Sequence, residues 1–341
     1  MYDDRITNTL NTTRICGGNH FQNAIEISDI VYVDKSPDSI IVTNGELIQD
    51  AVIATSLIHF PQNAPVLFSH RDYIDSDTVK QIFKLNPNGV NGVQIFLIGG
   101  ISPDVGRYLM SLGFRIKIIA GKNYFETAAH VAGYEHNPEN NIMIISAEDY
   151  REGLSACAYA AHMGVPILLT TKNRLPSYTR DVILETKDAN VYLVGSEKTI
   201  SEQVEKEIEG LDIKFIGRIS GNDPYDVSVN FSKYKSPDGK FGWGKTDRNG
   251  HAFTFTAIEN PFNSASGALL AHLGKHSPTL IIERNNLPTV TRDYIESVKP
   301  MPKEEPEPPF MHGWIIGCND SITFQTQVEI EKALSIDSEH M

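Results

Sequence analysis

Cysteine is scarce in this chain: Cys16, Cys157 and Cys318 are the only three among 341 residues. They are odd in number, far apart and without the paired spacing of a zinc site, so neither a disulfide framework nor a metal site is expected. Buried free thiols are the expected state, with Cys318, which follows a glycine at a predicted strand end, the candidate for a reactive one. Long apolar runs are missing as well, since no segment approaches the roughly 18 residues of a membrane-spanning helix. The opening MYDDRITNTLNTT sets two acids where a signal peptide carries positive charge, which points, as written, to the cytoplasm. Positive charge is also in deficit: 30 Lys and Arg face 43 Asp and Glu, a formal net charge of -13. Such a surface repels phosphate, which argues against nucleic acid as a partner. There is no full G-x-G-x-x-G, no Walker-type lysine motif and no defensible Ser-His-Asp or Cys-His set. No catalytic residue, metal or cofactor is therefore expected.

What the sequence does contain is a repeat. RICGGNHFQNAIEIS from Arg14, IIAGKNYFETAAHVA from Ile118 and RISGNDPYDVSVNFS from Arg218 align without forcing. Each runs from an apolar strand end to Gly17, Gly121 or Gly221, then to Asn19, Asn123 or Asp223, then to Phe21, Phe125 or Tyr225. This reads as a strand, a tight turn, an Asx side chain capping a helix, and an aromatic stapling its first turn. Glu126 and Asp226 fall in that first turn, where the helix dipole favours acids.

The remaining elements repeat too. Strand-like runs such as Ile95-Phe96-Leu97-Ile98 are continuously apolar and alternate with helical periods, as in parallel sheets covered on both faces. The expected fold class is α/β, with three tandem Rossmann- or flavodoxin-like units over residues 1–117, 118–217 and 218–341. Two segments interrupt the third unit. Residues 233–251 (KYKSPDGKFGWGKTDRNGH) read as a loop of the kind that carries function and could close over a pocket. Residues 300–312 open on an acidic, Pro-rich surface excursion, PMPKEEPEPP.

Ligands of parallel sheets collect beyond the carboxyl ends of the strands. The first-strand loops there offer Asn44 and Glu46, Glu148 and Asp149, and Glu259 and Asn260. The second-strand loops add Arg71, Arg174 and Arg284, a triple cation suited to an anion, with surface ion pairing as the alternative. Asp50 and Glu152 are carboxylates that could face each other between units or serve as first-turn acids. Gly99-Gly100, Gly195-Ser196 and Gly317-Cys318 either admit a ligand to the backbone or meet a turn requirement. His272 and His276 are four apart on a predicted helix, where a cationic pair stabilising the helix C-terminus outweighs a metal pair.

The RISG-N-D-x-Y pattern, VPILLTTKNRLPSYT from Val165 and VYLVGSEKTIS from Val191 resemble the type 2 cell-wall-binding repeat. The resemblance runs from about Arg14 to Leu334. It implies three units in a pseudo-threefold arrangement, no catalysis, and attachment to an anionic wall glycan. It also implies a wall location if a leader has been removed. The chain departs from the family pattern at His20, Tyr124 and Pro224, where an arginine is usual. The family's acid before the Ala-rich helix is present as Asp50 and Glu152, with Ser264 in its place in the third unit. The leading expectation is a non-catalytic protein binding an anionic wall polymer. Two alternatives stay open: an enzyme or binder of a small anionic ligand such as a sugar phosphate or nucleotide, and a self-assembling protein, since repeated interfaces favour homo-oligomers.

Overall fold

Strand β1 (Thr12–Ile15) is followed by β2 (Ile40–Asn44), β3 (Val66–Ser69), β4 (Ile95–Ile98) and β5 (Ile116–Ile119). The last four pair in parallel in the order β3-β2-β4-β5. A second sheet takes β6 (Asn141–Ser146), β7 (Ile167–Thr170), β8 (Asn190–Val194) and β9 (Phe215–Ile219) in the order β7-β6-β8-β9. The third takes β10 (Ala252–Ala257), β11 (Thr279–Ile282) and β12 (His312–Ile316), and recruits β1 to give β1-β12-β10-β11. In this computed structural model residues 7–134, 137–274, 276–301 and 310–336 are described. The architecture is α/β, with three separate four-stranded parallel sheets in Rossmann-like units, as the repeat implied.

Ile40, Ile41, Val42, Ile95 and Ile98 are all fully buried, because helices cover both faces of the sheet. The helices that follow β1, β5 and β9 open as their capping residues dictate. Asn19 accepts from the Gln22 amide, Asn123 from those of Phe125 and Glu126, and Asp223 from that of Asp226. At the centre lie short helices rich in small apolar residues: Ile48–Ile53 with the 3-10 turn Ala54–Ile58, Ala156–Met163, and Phe262–Gly267 with Leu269–Leu273. They are buried nearly all round and pack on one another, which joins the three units.

The strand that opens each repeat pairs into the sheet before it, so the expected boundaries at 117/118 and 217/218 fall inside β5 and β9. The same rule applied to β1 closes the ring, with Ile15 beside Ile316 in the third sheet. This register brings the residues just past the two strand ends together. Cys16 and Cys318 form a disulfide with Cα atoms 4.6 Å apart, so the expectation of free thiols at these two positions is corrected. Nothing local in the sequence signals the pairing, because it depends on a strand contact made across the whole chain. Cys157 is a buried free thiol, as expected, and burial pushes its pKa up to about 12.

The 233–251 segment has neither helix nor strand beyond the end of helix Pro224–Lys233, and its middle packs inward. Phe241 is fully buried and stacks on Tyr192 at 3.6 Å, while the Gly242 amide donates to Tyr159 Oη at 2.7 Å. An excursion of the third unit thus plugs the core of the second. In the other excursion Met301 and Phe310 are exposed, and residues 302–309 lie outside the described residues.

Candidate functional site

The carboxyl ends of the strands hold most of the expected site residues, and much of their polar capacity is spent on the fold. Asn44 donates to the Gly100 carbonyl at 3.1 Å and accepts from the Glu46 amide at 2.9 Å. Asp50 is 1% exposed and accepts from the Gly100 amide at 2.7 Å. Burial pushes its carboxyl up to about 6 against that one hydrogen bond. Glu152, 5% exposed, is better supplied: the Ser196 amide, Ser196 Oγ and Thr199 Oγ1 donate to it at 2.6, 2.9 and 2.7 Å. In the third unit Asn263, and not Ser264, takes this place, donating to the Ile316 carbonyl beside Gly317. Ser264 instead bonds Thr256 at 2.8 Å.

These side chains clamp the turns after β4, β8 and β12. Gly99, Gly195 and Gly317 all have positive φ, and a Cβ on Gly99 would lie 2.2 Å from the Asp50 carboxyl. The glycines therefore meet a turn requirement, and the space beside them is filled by the clamp rather than open to a ligand. Nor are Asp50 and Glu152 a pair, since each bonds within its own unit.

The other loop acids are more exposed. Glu46 meets His70 at 2.7 Å, which holds its carboxyl below the usual range. Glu148 accepts from the Lys172 amide at 2.9 Å. Asp149 is bound through both oxygens by Arg151, which lowers its pKa. Glu259 and Glu283 lie near Tyr225, whose pKa is pushed up to about 12 by burial and then by these two charges. Asn260 serves a backbone turn, its carbonyl accepting from the Asn263 amide.

The three arginines are not equivalent to one another. The Arg71 carbonyl accepts from the Ser102 amide, the Arg284 carbonyl from that of Thr323, and in the second unit it is Lys172 that accepts from Ser201. The repeated cation is therefore Arg71, Lys172 and Arg284. Arg174 sits two residues further on, where it lines a groove of about 580 Å³ with Asn173, Ser177, Arg180, Gln203 and Glu207. This groove runs between the helices Ser177–Glu185 and Glu202–Glu209. A second groove, of about 460 Å³, lies between Thr289–Val298 and Phe324–Leu334, lined by Arg292, Glu296, Lys299, Glu329, Lys332 and Ala333.

The two grooves correspond. Glu207 accepts from the Leu175 amide at 3.0 Å and Glu329 from the Leu287 amide at 2.9 Å, and Arg180 and Arg292 follow at the same distance along their helices. Counting formal charges of the lining, the first has two cations and one acid and the second three cations and two acids. Both are net positive on a chain that carries -13 overall. Arg180 and Arg292 escaped the sequence reading, although the shared T-R-D at 179–181 and 291–293 was a visible signal.

His272 is also placed differently from expectation. It lies in the last turn of Leu269–Leu273, but burial lowers its pKa to about 4, so it is neutral and no cationic helix cap; His276 lies beyond the helix.

The chain is similar in sequence and in fold to several known proteins. Residues 118–205 match the model of the cell wall binding domain 2 family (CWB2). The amidase enhancer of Bacillus subtilis is 31% identical over 225 residues, 65% of this chain and 29% of that protein. The N-acetylmuramoyl-L-alanine amidase LytC of the same organism is 29% identical over 220 residues, 64% of this chain and 42% of that protein. The chain thus spans well under half the length of either relative. Among solved structures, Cwp8 from Clostridium difficile matches with a TM-score of 0.78 at 20% identity, over 97% of this chain and 53% of that one, a likeness of fold.

Proposed function

We propose that this protein is a non-catalytic module that holds an anionic cell-wall glycan or a similar polymer, built from three tandem units whose opening strands β1, β5 and β9 each pair into a neighbouring unit's sheet. The observation that carries the reading is the pair of corresponding, net-positive grooves around Arg180 and Arg292 on an otherwise acidic molecule. A local cation cluster attracts a polyanion despite an unfavourable average, and two such sites on one body bind with an effective concentration that one lacks. The match of residues 118–205 to the cell wall binding domain 2 model supports the wall as the source of that polymer. So does the segment shared with an amidase and an amidase enhancer, consistent with a part that attaches. The Cys16–Cys318 disulfide favours an oxidising setting outside the cytoplasm.

The test is co-sedimentation with washed Gram-positive walls over a salt series, before and after the anionic polymers are stripped. Retention should weaken with salt and disappear on stripping. Arg180→Glu and Arg292→Glu should each weaken retention, and together abolish it, while Arg71→Glu should matter less. Retention by stripped walls equal to that by intact walls would overturn the reading.

A further inference from the structure

Each of the three central helical segments has a histidine within one residue of its last, flanked by apolar residues: Ile58-His59-Phe60, Ala161-His162-Met163 and Ala271-His272-Leu273. Because these helices pack together where the units meet, the imidazoles of three repeats converge on one end of the pseudo-threefold axis. The His59 and His272 rings are 4.9 Å apart, and those of His162 and His276 are 4.8 Å apart. Trp243, carried in by the 233–251 segment, stacks on His162 at 4.9 Å with 9° between the planes.

We propose that His59, His162, His272 and His276 form a proton-sensitive latch between the three units, closed while the rings are neutral and loosened when the surroundings acidify. His162 and His276 meet through their Nδ1 atoms at 3.3 Å, and a hydrogen bond between two ring nitrogens needs a lone pair on one of them. Protonating both converts that contact into repulsion between cations. His272 has its Nε2 on Asn63 Oδ1 at 2.9 Å, a contact that one neutral tautomer satisfies.

The charges that act on His162 and His272 are of one sign: the other histidines of the cluster, Lys245 on His162, and Lys35 on His272. Carboxylates reached through these neighbours are engaged elsewhere. Asp38 accepts from Asn63 Nδ2 at 2.7 Å, and Asp247, which acts on Lys245, meets His251 at 3.1 Å. Among the described residues no group of three His, Cys, Asp or Glu is arranged to hold a metal ion.

The direction of the effect follows from burial first and neighbouring cations second, which lower His162 and His272 from 6.5 to about 4. Between these values the unfolded chain binds protons that the folded chain does not. The stability contributed by the neutral rings is thus full above pH 6.5 and lost as the pH falls towards 4.

The experiment compares thermal unfolding of the wild type and a His162→Gln, His272→Gln double variant from pH 7.5 to 4.5. The wild type is expected to lose Tm over this range, and the double variant to lose less than half as much. The difference between the two proteins cancels every titration outside the cluster. Equal slopes would overturn the proposal. Should the variant not fold, carbon-13-histidine NMR of the wild type decides. The rings of His162 and His272 should remain neutral below pH 5.5, and titration of both above pH 6 would overturn it as well.

Discussion

Arg14 Nη1 donates to the Gly317 carbonyl at 2.8 Å across 303 residues of sequence, and at the same length to the carbonyl of Ile322. Two repeats later Arg218 Nη1 does the same to Gly195 and Ile200, each at 3.0 Å. Both arginines stand on the strand a sheet receives from the next stretch of chain, and both satisfy carbonyls of the clamped turn after its neighbour strand. Arg14 is 2% exposed, and burial lowers its pKa to about 10 with Asp320 opposing. The first sheet lacks this device, since Ile118 occupies the position and is 48% exposed.

Arg14→Met should strand these carbonyls and the side chain of Gln327, which accepts from Arg14 Nε. The expected loss is about 3 kcal/mol, because several hydrogen bonds to a buried charge go together. Urea unfolding measures it, and a loss below about 1 kcal/mol would show that water replaces the arginine.

Reducing the Cys16–Cys318 bond should lower stability by about 2–5 kcal/mol, the range for a disulfide that restrains a long unfolded loop. Cys16→Ser with Cys318→Ser should produce the same loss without reductant and be insensitive to it. Buried Cys157 should stay unreactive to thiol reagents until the protein unfolds.

Phe241→Ala empties a site shared with Tyr159, Tyr192 and Phe231 and should cost about 3–5 kcal/mol. A segment that merely covered a ligand site would give a change near zero in the absence of ligand.

Asp50 runs opposite to the histidines. Burial raises its carboxyl from 3.8 to about 6, so the folded chain holds this proton more tightly than the unfolded one. Its contribution is favourable below pH 3.8 and is lost as the pH rises through 6. Asp50→Asn should stabilise the protein at pH 7.5 by on the order of 2 kcal/mol and change little at pH 3.5. Equal effects at both values would mean that the amide breaks the bond from Gly100.

The parts of the fold legible in the sequence were those with local causes. A glycine, an Asx cap at Asn19, Asn123 or Asp223 and an apolar run lie within a few residues of one another, so three copies declared three α/β units. What depends on contacts between units was not visible. The exchange of β1, β5 and β9 between sheets, and with it the disulfide, needs knowledge of which strand lies next to which. The candidate site was half legible. The strand-end loops were found, but matching residues by type paired Arg174 with Arg71, where the hydrogen bonds pair Lys172. The same habit chose Ser264 over Asn263, one residue away. The histidine latch takes one ring from the end of each central helix and a fourth, His276, from just beyond the third, and becomes apparent only when the three ends meet.

The bond between Cys16 and Cys318 also decides where mechanical load travels. Tension applied through the chain before Cys16 and after Cys318 crosses a single covalent bridge and bypasses the residues between them. The first two sheets, the groove at Arg180 and the central helices, all between the two cysteines, would then carry no tensile load, whereas β1 and the helix Phe324–Leu334 lie outside the bridge. Reduction would transfer that load to the parallel pairing of β1 with β12, whose hydrogen bonds resist it only by shear.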